Sequence, residues 1–161
     1  MGIIWDTFDS PIGMMRLCCD EEGLLAVVFA EQKYEDQHIP ADAVQGTHPI
    51  LEETKLWLSR YFEGIIPDFL PLLKPKGSAF QLQVWDALLQ IPYGKTVTYG
   101  ELAKRLGCKS AQAVGGAVGR NPVSILIPCH RVMGADGKLT GYAGGLEKKE
   151  ALLKLEKDHL K

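Results

Sequence analysis

Residues 127–132 read Ile127-Pro128-Cys129-His130-Arg131-Val132, and the interpretation of the whole chain starts from this stretch. A cysteine stands directly before a histidine, at the end of an apolar run. Thiol chemistry requires the thiolate, and an ordinary cysteine with a pKa of ~8.5 is ionised to only roughly a few per cent at pH 7. A neighbouring imidazole would raise that fraction. Taken alone, the pair fits a buried structural cysteine equally well, because neighbours in sequence need not be in contact.

The length and composition of the chain limit the possible classes of protein. Its 161 residues can form one ordinary domain or two small ones. No apolar run reaches the roughly 18 residues of a membrane span, and the N-terminal segment lacks the basic start of a secretory signal. The four cysteines include no Cys-x-x-Cys pair, so we expect neither a metal site nor a disulfide framework. A reducing, cytoplasmic location fits such free thiols.

The charge is divided unevenly between the two parts of the chain. Residues 1–75 carry 5 Lys and Arg against 13 Asp and Glu, whereas residues 76–161 carry 13 against 7. A phosphate backbone would be attracted to the second part and repelled by the first. The asymmetry is compatible with nucleic-acid binding, although solvated surfaces also differ in charge by chance.

The first part of the chain is predicted to contain a small antiparallel sheet and one helix. Three β-prone runs separated by turn residues predict strands over Ile3–Phe8, Met14–Cys19 and Leu24–Phe29. Residues 31–47 lack periodicity and are expected to form a surface loop or an irregular helix, and His38 and His48, which fall in or beside this stretch, are expected to be exposed. Apolar spacing then predicts a helix over Pro49–Phe62.

A proline-containing connector separates this part from a mainly helical one. The prolines between residues 67 and 77 mark the boundary between a domain of residues 1–75 and a domain of residues 76–161. Capping residues and apolar periodicity predict helices over residues 79–90, 99–106, 111–119 and 146–160. The second and third of these, joined around Gly107, form a candidate helix-turn-helix. Many helical hairpins share this spacing.

The helix predicted over residues 111–119 is unusually poor in side chains, because alanine and glycine occupy most of its positions. Glycine destabilises a helix, so its presence needs a reason. Either the helix packs tightly against the core, or its bare face approaches a nucleic-acid backbone closely, even within the minor groove. The sequence leaves both explanations open.

The stretch from Asn121 to Val132 resembles the active-site signature of the O6-alkylguanine-DNA alkyltransferases. Phe80–Trp85 before it and Tyr142–Leu146 after it extend the similarity from about Gly77 to Glu156, roughly half of the chain. The resemblance implies an α+β fold. A small ribonuclease-H-like α/β N-terminal domain with an antiparallel sheet would precede a mainly helical C-terminal domain with a helix-turn-helix.

The function implied by the resemblance is direct-reversal DNA repair. The alkyl group of O6-alkylguanine would pass irreversibly to the thiol of Cys129, so that each molecule acts once, as a suicide methyltransferase without cofactor or metal. The partner would be double-stranded DNA containing O6-alkylguanine, bound by a monomer in the minor groove and largely independently of sequence. The target base has to be flipped out of the stack, at a cost of roughly a few kcal/mol.

The resemblance also implies a role for individual residues. Cys129 would accept the alkyl group, His130 would take the thiol proton through a water, and Glu156 would orient His130. Tyr99 would donate a hydrogen bond to guanine N3, and Asn121 would be the hinge that ties the recognition helix to the active-site turn. Without the resemblance, Glu156 fits an exposed helix carboxylate, Tyr99 a packing residue and Asn121 a helix stop.

Two further groups of residues follow from the same comparison. The flipped base would be enclosed by Val118, Val132, Tyr142, Ala143 and Gly144. DNA would be contacted by Ser110, Ala111, Gln112, Ala113, Gly115 and Arg120. The chain departs from the family pattern at Gln112, where an arginine that inserts into the duplex is expected. Glutamine can fill the vacated space but brings no charge, so base extrusion is expected to be weaker unless Arg120 compensates.

Two other functions remain open at this point. A protein that binds alkylated bases without repairing them would fit the same fold, but relatives of that kind replace the acceptor cysteine, and Cys129 argues against this function. A cysteine hydrolase built on Cys129 and His130 would turn over repeatedly. It would need an oxyanion hole that the sequence does not identify.

Overall fold

The computed structural model describes residues 2–30, 32 and 35–160, which form two compact units. The first unit contains the chain up to Lys76 together with Pro122–Ser124, and the second contains Gly77–Asn121 and the chain from Ile125 onward. The sequence predicts a single boundary after residue 75, which would place Pro122–Ser124 in the second domain. For these three residues the prediction is wrong. These residues belong to the first unit because they bond to its sheet: Val27 N–H donates to Pro122 O at 2.9 Å, and Ser124 N–H donates to Val27 O at 2.8 Å.

The first unit is built on a four-stranded sheet in the order β3-β2-β1-β4. Strands β1 (Ile4–Ser10), β2 (Gly13–Cys19) and β3 (Leu24–Phe29) are antiparallel, as the sequence predicts. A fourth strand, β4 (Val44–Gln45), lies parallel to β1 and makes the sheet mixed. Both residues of β4 are exposed and show no periodicity, so the sequence does not indicate this strand.

Every residue of β3 is buried although β3 ends the strand order. An apolar strand with open backbone groups would promote edge-to-edge association. Here two other segments cover the free edge. Leu24 N–H donates to Leu72 O at 2.7 Å, Lys74 N–H donates to Leu24 O at 2.8 Å, and Val27 exchanges bonds with residues 122 and 124. The connector around residues 72–74 therefore forms part of the sheet edge.

Two helices complete the first unit, and both involve a histidine. Helix α1 is a single turn, Glu35–His38, and α2 covers Pro49–Phe62, as predicted. The expectation that His38 and His48 are exposed is wrong: His38 is half-buried, and His48 caps α2 by accepting Ile50 N–H on Nδ1 at 3.1 Å. Of residues 31–47, which were expected to form a loop or irregular helix, residues 31, 33 and 34 lie outside the described residues.

The second unit is mainly helical, as predicted. Its elements are α3 (Ala79–Leu88), β5 (Val97–Thr98), α4 (Tyr99–Leu106), α5 (Ala111–Gly119), β6 (Val132–Met133) and α6 (Leu146–Asp158). Strands β5 and β6 pair in parallel and are not apparent from the sequence. In the part of the chain that is described, no helix has the length and apolar character needed to cross a bilayer.

Helices α4 and α5 form the predicted helix-turn-helix. A capping box at Thr98 begins α4, and the Ser110 side chain caps the start of α5. Gly107 ends α4 with a φ of 66°. That left-handed conformation suits glycine, which lacks the Cβ that would clash there. Trp85 Nε1–H donates to Ala117 O at 2.9 Å and fixes α5 on α3.

Candidate active site

Cys129 begins a 3₁₀ turn, Cys129–Arg131, immediately before β6. Every residue from Asn121 to Val132 is buried, and Cys129 itself is 6% exposed. Burial raises the pKa of the Cys129 thiol above its ordinary value, and a hydrogen bond with Asn121 and the charge of Lys149 only partly offset this effect. The sulfur is therefore a protonated nucleophile at neutral pH, and its reaction requires a group that accepts the thiol proton.

The turn before Cys129 is held in an unusual backbone conformation. Ile125 has a φ of 72°, in the left-handed region that a β-branched residue rarely adopts, at a cost of about 1–2 kcal/mol. The side-chain amide of Asn121 donates to Ile127 O at 2.8 Å, and Cys129 N–H donates to the same oxygen at 2.8 Å. Strain of this kind persists where surrounding bonds fix the chain. Asn121 thus ties the end of α5 to the turn that presents Cys129.

His130 and Glu156 form a direct pair inside the second unit. His130 Nε2 lies 2.6 Å from Glu156 Oε2, and both side chains are almost fully buried. Burial lowers the pKa of His130; Glu156 raises it, and the charges of Arg131 and Lys149 lower it further. The ring is accordingly neutral at neutral pH. A neutral imidazole whose Nε2–H donates to a carboxylate has Nδ1 as its basic nitrogen.

Glu156 is shared by more groups than the sequence indicates. Arg131 binds it with Nε on Oε1 at 2.8 Å and Nη2 on Oε2 at 3.0 Å, and Gly94 N–H donates to Oε1 at 3.0 Å. Arg131 also donates to Ile91 O at 2.7 Å. Burial opposes ionisation of Glu156, but the hydrogen bonds and charges of His130 and Arg131 prevail and hold the pKa of that carboxyl well below its usual range. Sequence reasoning missed Arg131, although it stands within the motif.

Lys149 is a second residue that sequence reasoning missed. It is fully buried in α6, and its Nζ donates to Val132 O at 2.6 Å, Thr140 O at 2.6 Å and Gly141 O at 3.3 Å. Burial lowers the pKa of Lys149 to about 8, while Cys129 acts in the opposite direction. A signal was available: on a helix, residues at i, i+3 and i+7 share a face, and Lys149 shares one with Leu152 and Glu156.

Tyr99 lies at the start of α4 and is half-buried. Burial raises the pKa of Tyr99, a side-chain hydrogen bond with Thr140 opposes this, and Cys129 adds to it. Both partners are informative, because they show that the Tyr99 hydroxyl is near the loop before α6 and near the thiol. The structure therefore brings Tyr99 close to Thr140 and Cys129.

The residues expected to enclose a base occupy two elements and a loop. Val118, on α5, and Val132, on β6, are buried. The loop residues Tyr142, Ala143 and Gly144 precede α6 and are half-buried, and Tyr142 O accepts Gly145 N–H at 2.9 Å. The Val132 carbonyl already accepts a hydrogen bond from Lys149, and its second lone pair is the one that a base amine would use.

The residues expected to contact DNA lie on and beside α5. Ser110, Ala111, Gln112, Ala113 and Arg120 are exposed, whereas Gly115 is half-buried with the Tyr99 ring 3.7 Å from where its Cβ would be. A Cβ at Gly116 or Gly119 would meet nothing within 4 Å. Tight packing within this protein therefore does not explain the absence of side chains at these two exposed positions. Gln112 shares their face, at helical spacing.

The predicted residues thus fall into three groups. Asn121 and Cys129 N–H share Ile127 O, and His130 pairs with Glu156, so that these four buried residues surround one turn. The residues expected to enclose a base lie on α5, on β6 and in the loop before α6. The residues expected to contact DNA, apart from half-buried Gly115, are exposed on and beside α5. Within residues 2–30, 32 and 35–160, no three His, Cys, Asp or Glu side chains are arranged to hold a metal ion.

Comparison with known proteins assigns both halves of the chain to one family. The model of the 6-O-methylguanine DNA methyltransferase DNA-binding domain matches residues 79–158, and the model of the ribonuclease-like domain of the same methyltransferase matches residues 3–69. The methylated-DNA–protein-cysteine methyltransferase of Methanosarcina acetivorans is 50% identical over 150 residues, which are 92% of this chain and 95% of that protein. The Haemophilus influenzae protein of the same name is 45% identical, over 97% of this chain and 87% of its own.

Solved structures agree with this assignment. The O6-methylguanine methyltransferase of Mycobacterium tuberculosis matches with a TM-score of 0.88 and 42% identity, over 99% of this chain and 95% of that one. The M. tuberculosis OGT in complex with DNA matches with the same TM-score and identity, over 97% and 94%. Because the models cover both units and the relatives match nearly full-length, the chain belongs to the 6-O-methylguanine DNA methyltransferase family.

Proposed function

We propose that this protein repairs O6-alkylguanine in double-stranded DNA by transferring the alkyl group irreversibly to Sγ of Cys129. Membership of the methyltransferase family supports the reaction class. The observation that carries the assignment to Cys129 is its burial in the same turn as His130, whose Nε2 lies 2.6 Å from Glu156 Oε2. The reaction consumes the protein, because a thioether is stable and the reaction regenerates no thiol.

The transfer is a one-step displacement at the alkyl carbon. A bond forms between Sγ of Cys129 and that carbon, and the bond from the carbon to guanine O6 breaks. The thiol proton passes through a water to Nδ1 of His130, and Glu156 stabilises the imidazolium that forms. Tyr99 donates a hydrogen bond to N3 of the departing guanine, which lowers the negative charge left on the base.

The base is held by groups around the turn that contains Cys129. The carbonyls of Cys129 and Val132 accept from the exocyclic amine of guanine, which adenine lacks at that position. Val118 and Tyr142 supply apolar walls, and the Ala143 N–H donates to O6, with Gly144 allowing the loop to approach. The buried environment keeps bulk water away from the sulfur, apart from the one water that relays the thiol proton, and strengthens these bonds.

DNA binds along the exposed face of α5. The face is bare at Gly116 and Gly119, so a minor-groove backbone can approach it closely, and among the described residues no atom lies within 4 Å of where a Cβ would be at either glycine. Ser110, Ala111, Gln112, Ala113, Gly115 and Arg120 lie at this surface. Contacts to the backbone carry no sequence information, so a monomer binds largely without sequence preference. A cytoplasmic location is part of the proposal, because the acceptor thiol must stay reduced.

A label-transfer assay tests the proposal. The protein is incubated with excess duplex DNA that carries O6-methylguanine with a radioactive methyl group, and the label on protein is counted over time. We expect one methyl group per molecule, and none with the Cys129→Ala variant, which should still bind the duplex. Binding of the wild type without transfer would indicate a damage-recognition protein instead, and repeated turnover would indicate a hydrolase.

A further inference from the structure

The chain turns sharply at residues 92–95, between α3 and β5. Lys95 N–H donates to Pro92 O at 3.0 Å, and Gly94, the third residue of the turn, has a φ of 78°. A type II turn requires such a positive φ at its third residue, and glycine adopts it without strain. The hydrogen bond that closes the turn uses the N–H of Lys95, so the N–H of Gly94 is available to another acceptor.

The Gly94 N–H binds the carboxylate of Glu156. It donates to Glu156 Oε1 at 3.0 Å, and the same oxygen accepts from Arg131 Nε at 2.8 Å. The other oxygen, Oε2, lies 2.6 Å from His130 Nε2 and 3.0 Å from Arg131 Nη2. Two donors on Oε1 therefore hold the carboxylate with Oε2 directed at the histidine.

Two further contacts join the same stretch of chain to this ion pair. Ile91 O accepts from Arg131 Nη1 at 2.7 Å, and the Arg131 guanidinium lies over the Tyr93 ring, 5.6 Å from its centroid. The bond to Ile91 O is buried, where an unpaired carbonyl would be costly. Residues 91–94 thus hold Glu156 directly through Gly94 and indirectly through Arg131.

Leu160 packs against the backbone of Gly94. A Cβ at Gly94 would lie 2.7 Å from Leu160 Cδ1 and 3.3 Å from Leu160 Cδ2 and Cγ. Leu160 stands four residues after Glu156, just beyond the end of α6. The end of this helix therefore contacts the glycine with two side chains, a carboxylate on its N–H and a leucine on its α-carbon. The close approach is a second reason for glycine at this position.

The groups that face the His130–Glu156 pair come from several elements. Arg131 belongs to the 3₁₀ turn, Lys149 to α6 and Tyr93 to the turn before β5. The positive charges oppose protonation of His130, whereas the carboxylate favours it. A hydrogen bond to a carboxylate stabilises its charge and weakens its attraction for an imidazolium. The backbone N–H of the turn consequently acts in the same direction as Arg131 and helps to keep His130 neutral.

We propose that Gly94 is a positioning residue of the proton relay, whose N–H fixes the orientation of the Glu156 carboxylate and limits the negative charge that it presents to His130. The inference rests on the proposed alkyl transfer, because the relay operates only if Cys129 gives up a proton. Gly94 does not touch the reacting atoms and acts through Glu156. Its effect on the rate should therefore depend on the protonation of His130, whereas a purely structural role would lower the rate equally at every pH.

Replacement of a single backbone atom tests the hydrogen bond. Gly94→glycolic acid, introduced by nonsense suppression, turns the amide into an ester and removes the N–H without adding a side chain. Gly64→glycolic acid is the control, because Gly64 also has a positive φ and its N–H donates to Tyr61 O at 3.0 Å, at the end of α2. For each full-length protein, the second-order rate constant with O6-benzylguanine as the free base is measured from pH ~5 to ~8.5.

A second pair of variants uses standard residues. Gly94→Ala strains the turn through its left-handed φ and places a methyl group 2.7 Å from Leu160 Cδ1, so the N–H is no longer held against Glu156. Gly107→Ala is matched to it, since Gly107 has a φ of 66° and a Cβ there would meet no described atom within 4 Å. The free base needs no duplex, so the rate does not depend on DNA binding by the helix-turn-helix.

We expect wild type and both controls to share one pH profile. Loss of the Gly94 N–H should move the acidic limb of that profile, where His130 takes up a proton, to higher pH, because Glu156 then attracts the imidazolium more strongly. On this limb the ester variant should react about tenfold more slowly than wild type, since one unit of pKa is a tenfold change in the neutral fraction. The two rates should converge above pH ~8. Gly94→Ala should change the profile in the same direction.

Three results would overturn the proposal while leaving the alkyl transfer intact. They are a wild-type profile for the ester variant, a loss of rate that is the same at every pH, and unfolding of both variants at residue 94 in circular dichroism. The last would show that the bond serves the fold and not the relay; if only one of the two variants folds, its profile decides. If the wild-type protein does not become alkylated at all, the proposed function itself fails, and the two failures are thereby distinguished.

Discussion

His130 shares Glu156 with Arg131 and Gly94, and this sharing determines the protonation state of the histidine. A carboxylate that contacted His130 alone would favour the imidazolium. Arg131 instead binds both oxygens of Glu156, at 2.8 and 3.0 Å, and compensates its charge. Burial together with the Arg131 and Lys149 charges then keeps the pKa of His130 below its ordinary value. The histidine is neutral when the thiol proton has to be accepted.

Replacement of Arg131 by methionine tests this electrostatic arrangement. Arg131→Met leaves a buried carboxylate without its bidentate partner and the Ile91 carbonyl without its donor. We expect the free energy of unfolding to fall by about 3–5 kcal/mol, the usual cost of removing one member of a buried ion pair. Urea denaturation measures the change. The exposed control Lys157→Met should stay within about 0.5 kcal/mol of wild type, and an equally small effect of Arg131→Met would contradict the arrangement.

His130 also predicts how stability depends on pH. Its folded pKa is lowered, so the unfolded chain takes up a proton below pH ~6.5 that the folded protein resists. The contribution of His130 is therefore complete above pH ~6.5 and is lost as the pH falls. The contribution of Glu156, whose pKa is also lowered, is lost only below its ordinary value of ~4.3.

The measurement is the free energy of unfolding between pH ~7.5 and ~5. Wild-type protein should lose stability across this range, and His130→Gln should lose less. His159→Gln, at an exposed histidine after α6, serves as the control and should behave as wild type. Equal slopes for wild type and His130→Gln would show that the histidine is not held neutral.

Helix α5 combines a buried face and a bare exposed face, which predict different responses to substitution. Val114, Ala117 and Val118 are buried, so larger side chains there would disturb packing. Gly116 has open space, and replacing glycine inside a helix gains up to about 1 kcal/mol of helix propensity. Stability and DNA binding should therefore separate at this position.

Substitution of Gly116 by leucine tests the surface. Gly116→Leu should be at least as stable as wild type, because its side chain meets no neighbour. It should repair methylated duplex at least about tenfold more slowly, since a tenfold loss corresponds to only about 1.4 kcal/mol of backbone contact. Its rate with free O6-benzylguanine should be unchanged. The rates of Gly116→Leu and wild type with the two substrates are measured side by side. Unchanged repair of the duplex would show that DNA does not bind at this face.

Across the whole molecule, the sequence predicts elements with local signals and misses those that depend on distant partners. The bounds of α4 and α5 follow from local signals, because the caps at Thr98 and Ser110 and the left-handed Gly107 depend only on residues nearby in the sequence. The two-residue strands β4, β5 and β6 exist only through pairing with remote segments. Pro122–Ser124 likewise belong to the first unit only because they bond to Val27, almost a hundred residues earlier in the chain.

The site follows the same division. The motif identifies Cys129 and His130, and the resemblance adds Glu156 and Asn121. In the structure Glu156 bonds to His130, and Asn121 bonds to Ile127 in the turn before Cys129. Ile125 in a left-handed conformation could not be anticipated, because isoleucine is among the residues that most disfavour it. Arg131 and Lys149 were missed because long cationic side chains are ordinarily exposed, and only tertiary structure buries them.

The central claim is that Cys129 is the residue that is consumed, and the location of the alkyl group tests it most directly. Full-length protein is reacted to completion with duplex DNA containing O6-methylguanine, digested with trypsin and analysed by mass spectrometry. We predict one methyl group per molecule, in place of the thiol hydrogen of Cys129, with Cys18, Cys19 and Cys108 unmodified. A methyl group on any other residue, or repaired DNA with an unmodified Cys129, would contradict the account.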